Sequence, residues 1–314
     1  MAICLEKSTV VWLTDRMNAG QINLSYVVTT YNKLPYLKII LADLIANSQP
    51  DEEIIVTDGA SSDGTVVYLQ TLFDEGKIDF FSSESDHGEA HGLNKAITAS
   101  SGILVKFISD DDAFYYPGIR ACKEFMLTHP EIDFLSSDGI RYRNNPANPY
   151  GPMSSRSLFE KWQKGHTPFA FCGLGIMIRK SSLPLLGYLH TGFIRVDAEY
   201  ALRVTAGKAK LAWYTGECFA HMLNENSTSL TQKTKMVEEM ERLEAAYLGK
   251  PMPSRSWKRL RSWTRPLAAS LKGVATDNAT PNAQTRQEEW QHTYRSAIAQ
   301  LEKDAIGHTG AFLF

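Results

Sequence analysis

Three consecutive carboxylates, Asp110, Asp111 and Asp112, follow the apolar run at 103–108 after the single residue Ser109. Like charges this close stay ionised together only where a cation or solvent neutralises them. Read alone, the triplet fits either a solvated turn after a strand or a seat for a hard divalent cation. Mg²⁺ and Mn²⁺ take oxygen ligands and usually share them with phosphates. Other chemistries find little support. No G-x-x-x-x-G-K-[ST] phosphate loop, no G-x-G-x-x-G after the first strand and no G-x-S-x-G nucleophile elbow is present. His87 and His91 flank Glu89 as H-x-E-x-H with Gly88 inside, which is not the zinc-helix order.

The elements that must carry the triplet alternate. Residues 22–29 read as an apolar strand, and Asn32 can cap a helix over 35–46. A strand at 53–57 runs into the turn-rich loop 58–64, then come a helix at 65–73 and a strand near 78–81. Helix 89–99 places Ala90, Leu93, Ala96 and Ile97 on one face. The strand 102–108 is almost continuously apolar, and a helix from Pro117 to about 127 and a strand at 132–136 follow. This alternation predicts an α/β fold on a parallel sheet. Ligands of such sheets bind beyond the carboxyl ends of the strands. The polar clusters 29–32, 58–63, 83–87 and 110–112 should therefore meet on one edge.

Further along, 140–170 reads as loop-rich, with Pro146, Pro149, Pro152 and Pro168 and a short helix near 158–162. A strand at 173–179, a helix at 197–205, short strands at 211–214 and 217–220 and a helix at 234–247 are expected next. The net charge of −2 argues against a general nucleic-acid binder. Cys4, Cys122, Cys172 and Cys218 are widely spaced in sequence without a C-x-x-C pair, as expected of reduced, intracellular thiols. No signal peptide and no apolar run of membrane-spanning length is recognisable, so the expectation is a soluble, cytoplasmic protein.

Four blocks in order carry a family resemblance: Leu24-Ser-Tyr-Val-Val-Thr-Thr-Tyr-Asn-Lys33, Glu53-Ile-Ile-Val-Thr-Asp-Gly-Ala-Ser-Ser-Asp-Gly-Thr65, Ser83-Glu-Ser-Asp-His-Gly88 with Leu93-Asn-Lys-Ala96, and Phe107-Ile-Ser-Asp-Asp-Asp112. They are similar to successive motifs of family 2 glycosyltransferases over 22–140, and more weakly to about 230. The resemblance implies a GT-A fold, a nucleotide-diphospho-sugar donor, a divalent metal (Mn²⁺ or Mg²⁺) and inversion at the anomeric carbon. It implies that Thr30, Tyr31 and Asn32 hold base and ribose, that Asp58 contacts the nucleotide, and that Asp86, Asn94 and Lys95 line the donor. Lys95 also reads as a solvated helix charge, and Asp63 as a turn residue.

The triplet then resembles a DxD-type motif. Asp111 and Asp112 would carry the metal on the diphosphate, with Asp110 beside the donor as the dispensable acid. Asp197-Ala-Glu-Tyr-Ala-Leu-Arg203 resembles the segment whose first Asp deprotonates the acceptor hydroxyl, with Glu199 as fallback. Asp197 is equally a routine helix cap. His221, with Ser227-Thr-Ser229 beyond, resembles a late segment near the diphosphate and metal; the alternative is a satisfied core histidine. Arg179 resembles an arginine before the acceptor-side helix.

The expected organisation is an arm at 1–21, a GT-A domain at 22–230 (donor and metal half 22–140, acceptor half 141–230) and a helical C-terminal extension at 231–314. Within the extension, 255–272 carries six cations and no acid among Trp257, Trp263 and leucines. That pattern suits peripheral contact with an anionic membrane surface or packing on the catalytic domain. The implied activity is sugar transfer to a glycan or lipid-linked acceptor in surface polysaccharide synthesis. The rivals are a sugar-nucleotide pyrophosphorylase, which would need a Gly- and Arg-rich loop after the first strand, and a degenerate carbohydrate-binding relative.

Overall fold

The structure, a computed structural model, describes residues 9–10, 20–143, 147–222, 232–251, 283–307 and 310–314. The expected basic segment 255–272, the serines at 227 and 229, and most of the N-terminal arm and of the 276–284 linker lie outside the described residues.

Strands β2 (Leu24–Thr30), β3 (Glu52–Asp58), β4 (Phe80–Ser83) and β5 (Leu104–Ile108) pair in parallel in the order β4-β3-β2-β5. Their near-continuous apolar runs follow from burial on both faces. On one face, Leu24, Tyr26, Val28, Ile54 and Val56 meet helices α1 (Leu34–Asn47), α2 (Thr65–Asp74) and α4 (Tyr116–Thr128). On the other, Val27, Ile55, Val105 and Phe107 meet α3 (Glu89–Ala99) through Ala90, Leu93, Ala96 and Ile97.

Beyond β5 the sheet is mixed rather than purely parallel. Strand β9 (Met177–Arg179) runs antiparallel to both β5 and β7 (Phe134–Tyr142), and β7 pairs in parallel with β10 (Leu211–His221). The reversal of β9 restores β7 and β10 to the direction of β5. The expected strand at 173–179 shortens because Gly173–Gly175 close into a 3₁₀ turn. A Cβ on Gly175 would lie 2.8 Å from the Ser137 backbone, so only glycine lets this turn approach β7. Four short strands complete the sheet: β1 (Thr9–Val10) on β4, β6 (Ala113–Phe114) on β10, β8 (Tyr150–Met153) on β7 and β11 (Phe312–Leu313) on β10.

The 140–170 stretch is more ordered than expected, since β7 reaches Tyr142, β8 folds back on it, and α5 (Arg156–Gly165) buries Phe159. The two strands expected at 211–214 and 217–220 are one strand, bulged between Tyr214 and Glu217 and again before Ala220. Arg179 is turned into the fold. Its guanidinium is enclosed and donates to the carbonyls of Met126, His129 and Ile132, satisfying the end of α4. Cys122 and Cys218, far apart in sequence, meet with their sulfurs 4.0 Å apart.

A short helix, α6 (Leu183–Leu186), leads to α7 (Val196–Ala206), against which α8 (Lys233–Leu248) packs Leu243 on Ala198 and Leu202. The last helix, α9 (Ala283–Gly307), buries a stripe of Trp290, Tyr294, Ala297 and Leu301. Trp290 meets Tyr36 edge-on at 4.8 Å, and the Tyr294 hydroxyl donates to Asp43 Oδ2 at 2.5 Å. Burial, then Asp304 of α9 and Asp138 of β7, push the Glu217 carboxyl up to about 7. Its protonated form is thus favoured in the fold, and this contribution is lost as pH rises through about 7. Glu217→Gln should therefore stabilise the protein at pH 8 by about 1 kcal/mol after allowance for solvent screening, and by nearly nothing at pH 4. Urea unfolding at the two pH values reads this directly.

Candidate active site

The carboxyl ends of β2, β3, β4, β5, β7 and β10 face one edge, and the polar loops expected there do meet. Asp110, Asp111 and Asp112 follow β5 and are each less than 10% exposed. Lys33, at the start of α1, reaches across from the β2 loop: its Nζ lies 3.1 Å from Asp110 Oδ1 and 2.5 Å from Asp111 Oδ2. Burial works against the ammonium, yet the two carboxylates outweigh it and hold the Lys33 pKa above its ordinary value. Burial pushes Asp110 up to about 6; Lys33 opposes this and Asp111 reinforces it. Asp112 is raised too, by burial and then by Asp111, although Oδ1 accepts from Met222 N at 2.6 Å and Oδ2 from the Ser109 hydroxyl at 2.8 Å.

Asn32 does not cap α1. Its backbone is left-handed (φ 52°), a conformation asparagine tolerates, and its Oδ1 accepts from Ser62 N at 2.8 Å. The residue therefore stitches the β2 loop to the β3 loop, while Asp63 accepts from Leu34 N at 2.9 Å and from the Thr65 hydroxyl at 2.6 Å, as a turn residue would. Asp58 is fully buried. Its oxygens accept from the Ser61 hydroxyl, from Ser61 N at 2.9 Å and from the Ser83 hydroxyl at 2.5 Å, so it braces the loop from within. Tyr31, by contrast, is 61% exposed. A Cβ built on Gly59 would lie 3.3 Å from both the Tyr31 ring and Asp86 Oδ2, so these three form one wall. Thr30 is buried beside Asp110 at the end of β2. Lys95 pairs with Glu84 at 3.3 Å. Asn94 is turned away: its amide donates to Leu189 O at 2.8 Å and accepts from Leu189 N at 2.9 Å.

Asp197 is the second residue of α7; its Oδ2 lies 3.4 Å from Gly173 N and its Oδ1 2.7 Å from Ala198 N. Glu199 is buried, with both oxygens on Arg203 at 2.8 and 3.1 Å, and is not free to act as a base. His221 ends β10 with its Nδ1 enclosed and without a hydrogen-bond partner. Burial and Arg141 keep its pKa below the usual value, while Asp111 and Asp197 act the other way, so the ring stands near both acids. Glu89, given no role from sequence, opens α3 within the same electrostatic field. Loss of hydration, then Asp197, Asp110 and Asp111, raise its carboxyl against the pull of Lys33, although the residue keeps an exposed surface, which limits the rise.

Lys33 and Glu89 are thus the residues that sequence reasoning missed. The only available signal for Lys33 was a cation one step beyond the β2 loop. Three enclosed acids share one ammonium, and the surplus negative charge and hard oxygen donors suit Mg²⁺ or Mn²⁺. Among the described residues no ready-made cluster of three His, Cys, Asp or Glu ligands occurs. Such a donor set fits an ion that completes its shell with water and phosphate.

The model for glycosyl transferase family 2 matches residues 25–183, and Asp197 and His221 lie beyond that match. The putative teichuronic acid biosynthesis glycosyltransferase TuaG of Bacillus subtilis is 30% identical over 105 residues, covering 33% of this chain and 41% of that protein. A GalNAc(5)-diNAcBac-PP-undecaprenol beta-1,3-glucosyltransferase of Campylobacter jejuni is 33% identical over 91 residues, covering 28% and 29%. The chain spans less than half the length of these curated relatives. Among solved structures, the mannosyltransferase PcManGT from Pyrobaculum calidifontis in complex with GDP-Man and Mn²⁺ superposes with a TM-score of 0.54 at 18% identity, covering 90% and 85% of the two chains. S. aureus TarS 1–349 in complex with UDP-GlcNAc gives 0.53 at 15%, covering 90% and 83%. The fold shared with these chains is GT-A.

Proposed function

The chain belongs to glycosyl transferase family 2, and from that premise we propose that it moves a sugar from a nucleotide-diphospho-sugar to a hydroxyl of a glycan or lipid-linked acceptor, with inversion. One observation carries this reading: Asp111 of the triplet, paired with Lys33, and Asp197 at the head of α7 both stand near His221. The Campylobacter relative, named for an undecaprenol-linked glycan, supports a lipid-linked acceptor in polysaccharide assembly.

Tyr31 offers its exposed ring to the nucleobase, and Asp86 beside it accepts from base or ribose. Base–aromatic stacking is worth roughly 1–3 kcal/mol, so Tyr31→Ala should weaken nucleoside diphosphate binding about tenfold or more. Calorimetric titration checks this; unchanged affinity would move the base elsewhere. Asp111 and Asp112, with Asp110 and His221 adjoining, would hold the divalent ion. When bound, the ion neutralises charge on the diphosphate as a Lewis acid. Lys33 contributes a fixed positive charge at the same place. Asp197 takes the proton of the acceptor hydroxyl at a carboxylate oxygen as that hydroxyl attacks the anomeric carbon, on the face opposite the departing nucleoside diphosphate.

A panel of nucleotide sugars, each with and without Mn²⁺, against lipid-linked and free glycans tests the whole reading. Transfer from one donor to an acceptor is expected, and a panel in which no donor is consumed would count against it. The segment 255–272 would bring the enzyme to the membrane that bears such an acceptor. Flotation with anionic liposomes should be lost when Arg255, Lys258, Arg259 and Arg261 are changed to glutamine, and undiminished flotation would remove that role.

A further inference from the structure

Helix α7 caps itself only in part, through Asp197 Oδ1 on Ala198 N at 2.7 Å. Arg195 occupies the N-cap position and makes no side-chain cap hydrogen bond, and Ala198 stands where a capping-box Glu or Gln would reach back. The first N–H groups of a helix have no partner inside it and must be satisfied from elsewhere. For the N-cap residue Arg195, and for Ile194 just before the helix, the acceptor comes from another helix. Glu239 Oε2, on α8, accepts from Ile194 N and from Arg195 N, both at 2.9 Å. A carboxylate at a helix N-terminus also meets the positive end of the helix dipole.

Two further contacts fasten the same pair of helices. Leu243 of α8 packs on Ala198 and Leu202, and the Tyr247 hydroxyl donates to Glu199 Oε1 at 3.3 Å. These contacts begin on the first turn of α7 itself, at Ala198 and Glu199, whereas Glu239 acts on the two residues that lead into it. Asp197 is the second residue after Arg195. On its other side it meets the 3₁₀ turn, where a Cβ on Gly173 would lie 3.1 Å from Asp197 Cβ. The carboxylate is therefore held between that turn, where Oδ2 lies 3.4 Å from Gly173 N, and its own helix start, where Oδ1 accepts from Ala198 N at 2.7 Å.

We propose that Glu239 is a positioning residue for Asp197: from α8 it takes the N–H groups of Ile194 and Arg195, and so fixes the entry into the turn that carries the acceptor-side carboxylate. The role rests on reading Asp197 as the base. Glu239 touches neither donor nor acceptor and takes no proton. Its task needs an acceptor oxygen at one place, which glutamine supplies and alanine does not.

Three forms of the full-length chain test this: wild type, Glu239→Ala and Glu239→Gln. In Glu239→Ala, kcat should fall about tenfold at saturating donor and acceptor, because a small misplacement of a reacting group is costly. Nucleotide Kd should stay within about twofold, since the donor wall lies on other elements, and amide hydrogen exchange at Ile194 and Arg195 should quicken about tenfold. Glu239→Gln should recover most of kcat and most of the protection. Unchanged kcat in Glu239→Ala with faster exchange would overturn the positioning role, and unchanged exchange would overturn the hold on these two N–H groups. A loss of kcat that glutamine does not restore would overturn the requirement for an acceptor at that point. Retained turnover in Asp197→Asn would instead remove Asp197 as the base, while the exchange measurement would still decide whether Glu239 holds the helix start.

Discussion

Asp197→Asn is expected to lower kcat by about 10²–10⁴, the usual range for loss of a general base, while leaving nucleotide affinity within about twofold. The separation follows from what the side chain does. Asparagine matches aspartate in shape and remains a good residue near a helix start, so the contacts to Gly173 N and Ala198 N can persist without a basic oxygen. The donor contacts proposed above are on other elements, the loops after β2, β3, β4 and β5. Glu199 cannot take over, because Arg203 holds both of its oxygens. Steady-state transfer and calorimetric nucleotide titration on one preparation give both halves of the result. A variant that still turns over at wild-type rate would exclude Asp197 as the base.

Lys33→Met is expected to cost roughly 3–5 kcal/mol of stability at pH 8, the range for removing one partner of a buried ion pair. It leaves Asp110 and Asp111 enclosed without their ammonium. The sign of the pH dependence follows from Asp110. Its carboxyl is already raised, to about 6, by burial against Lys33, so its contribution is intact below the ordinary carboxylate range and is lost as pH rises through about 6. Without Lys33 that carboxyl rises further, and the penalty grows between pH 5 and pH 8. Lys33 itself stays charged throughout, since its own pKa is raised. Denaturant unfolding at pH 5 and pH 8 should show the variant's deficit shrinking sharply at the lower value. Equal deficits at both would mean that the acids are neutralised by something other than Lys33.

The alternation of apolar runs and amphipathic helices was enough to place the triplet, Tyr31, Asp86 and the β3 loop on one edge, because long repeating patterns carry their own periodicity. Contacts between remote segments were not legible. The reversal of β9 rests on three residues, too few to show a direction. Lys33 meets the triplet only because β2 and β5 are neighbours, a fact of sheet order rather than of local pattern. Asn94 belongs by its surroundings to the donor segment, yet Leu189, 95 residues later, takes both ends of its amide. Asp58 stands in a loop of turn residues that reads as open. The hydroxyls of Ser61 and Ser83 turn it inward. Asn32 reads as a cap by position, but a backbone at φ 52° aims its side chain at the next loop instead.

The place of β9 also sets an order of assembly. Strands β5 and β7 never pair with each other; three residues made some seventy positions after β5 lie between them. A growing chain lengthens by about 5–20 residues per second, so the outer edge of Leu104–Ile108 stands open for several seconds before its partner is synthesised. An unpaired apolar edge of this kind invites pairing with other chains. Fragments that stop before Met177 are therefore expected to aggregate rather than fold, even when they contain the acid triplet and the loops after β2, β3 and β4. Co-translational chaperones that shield an open strand should raise the yield of the full chain more than slower growth at low temperature does.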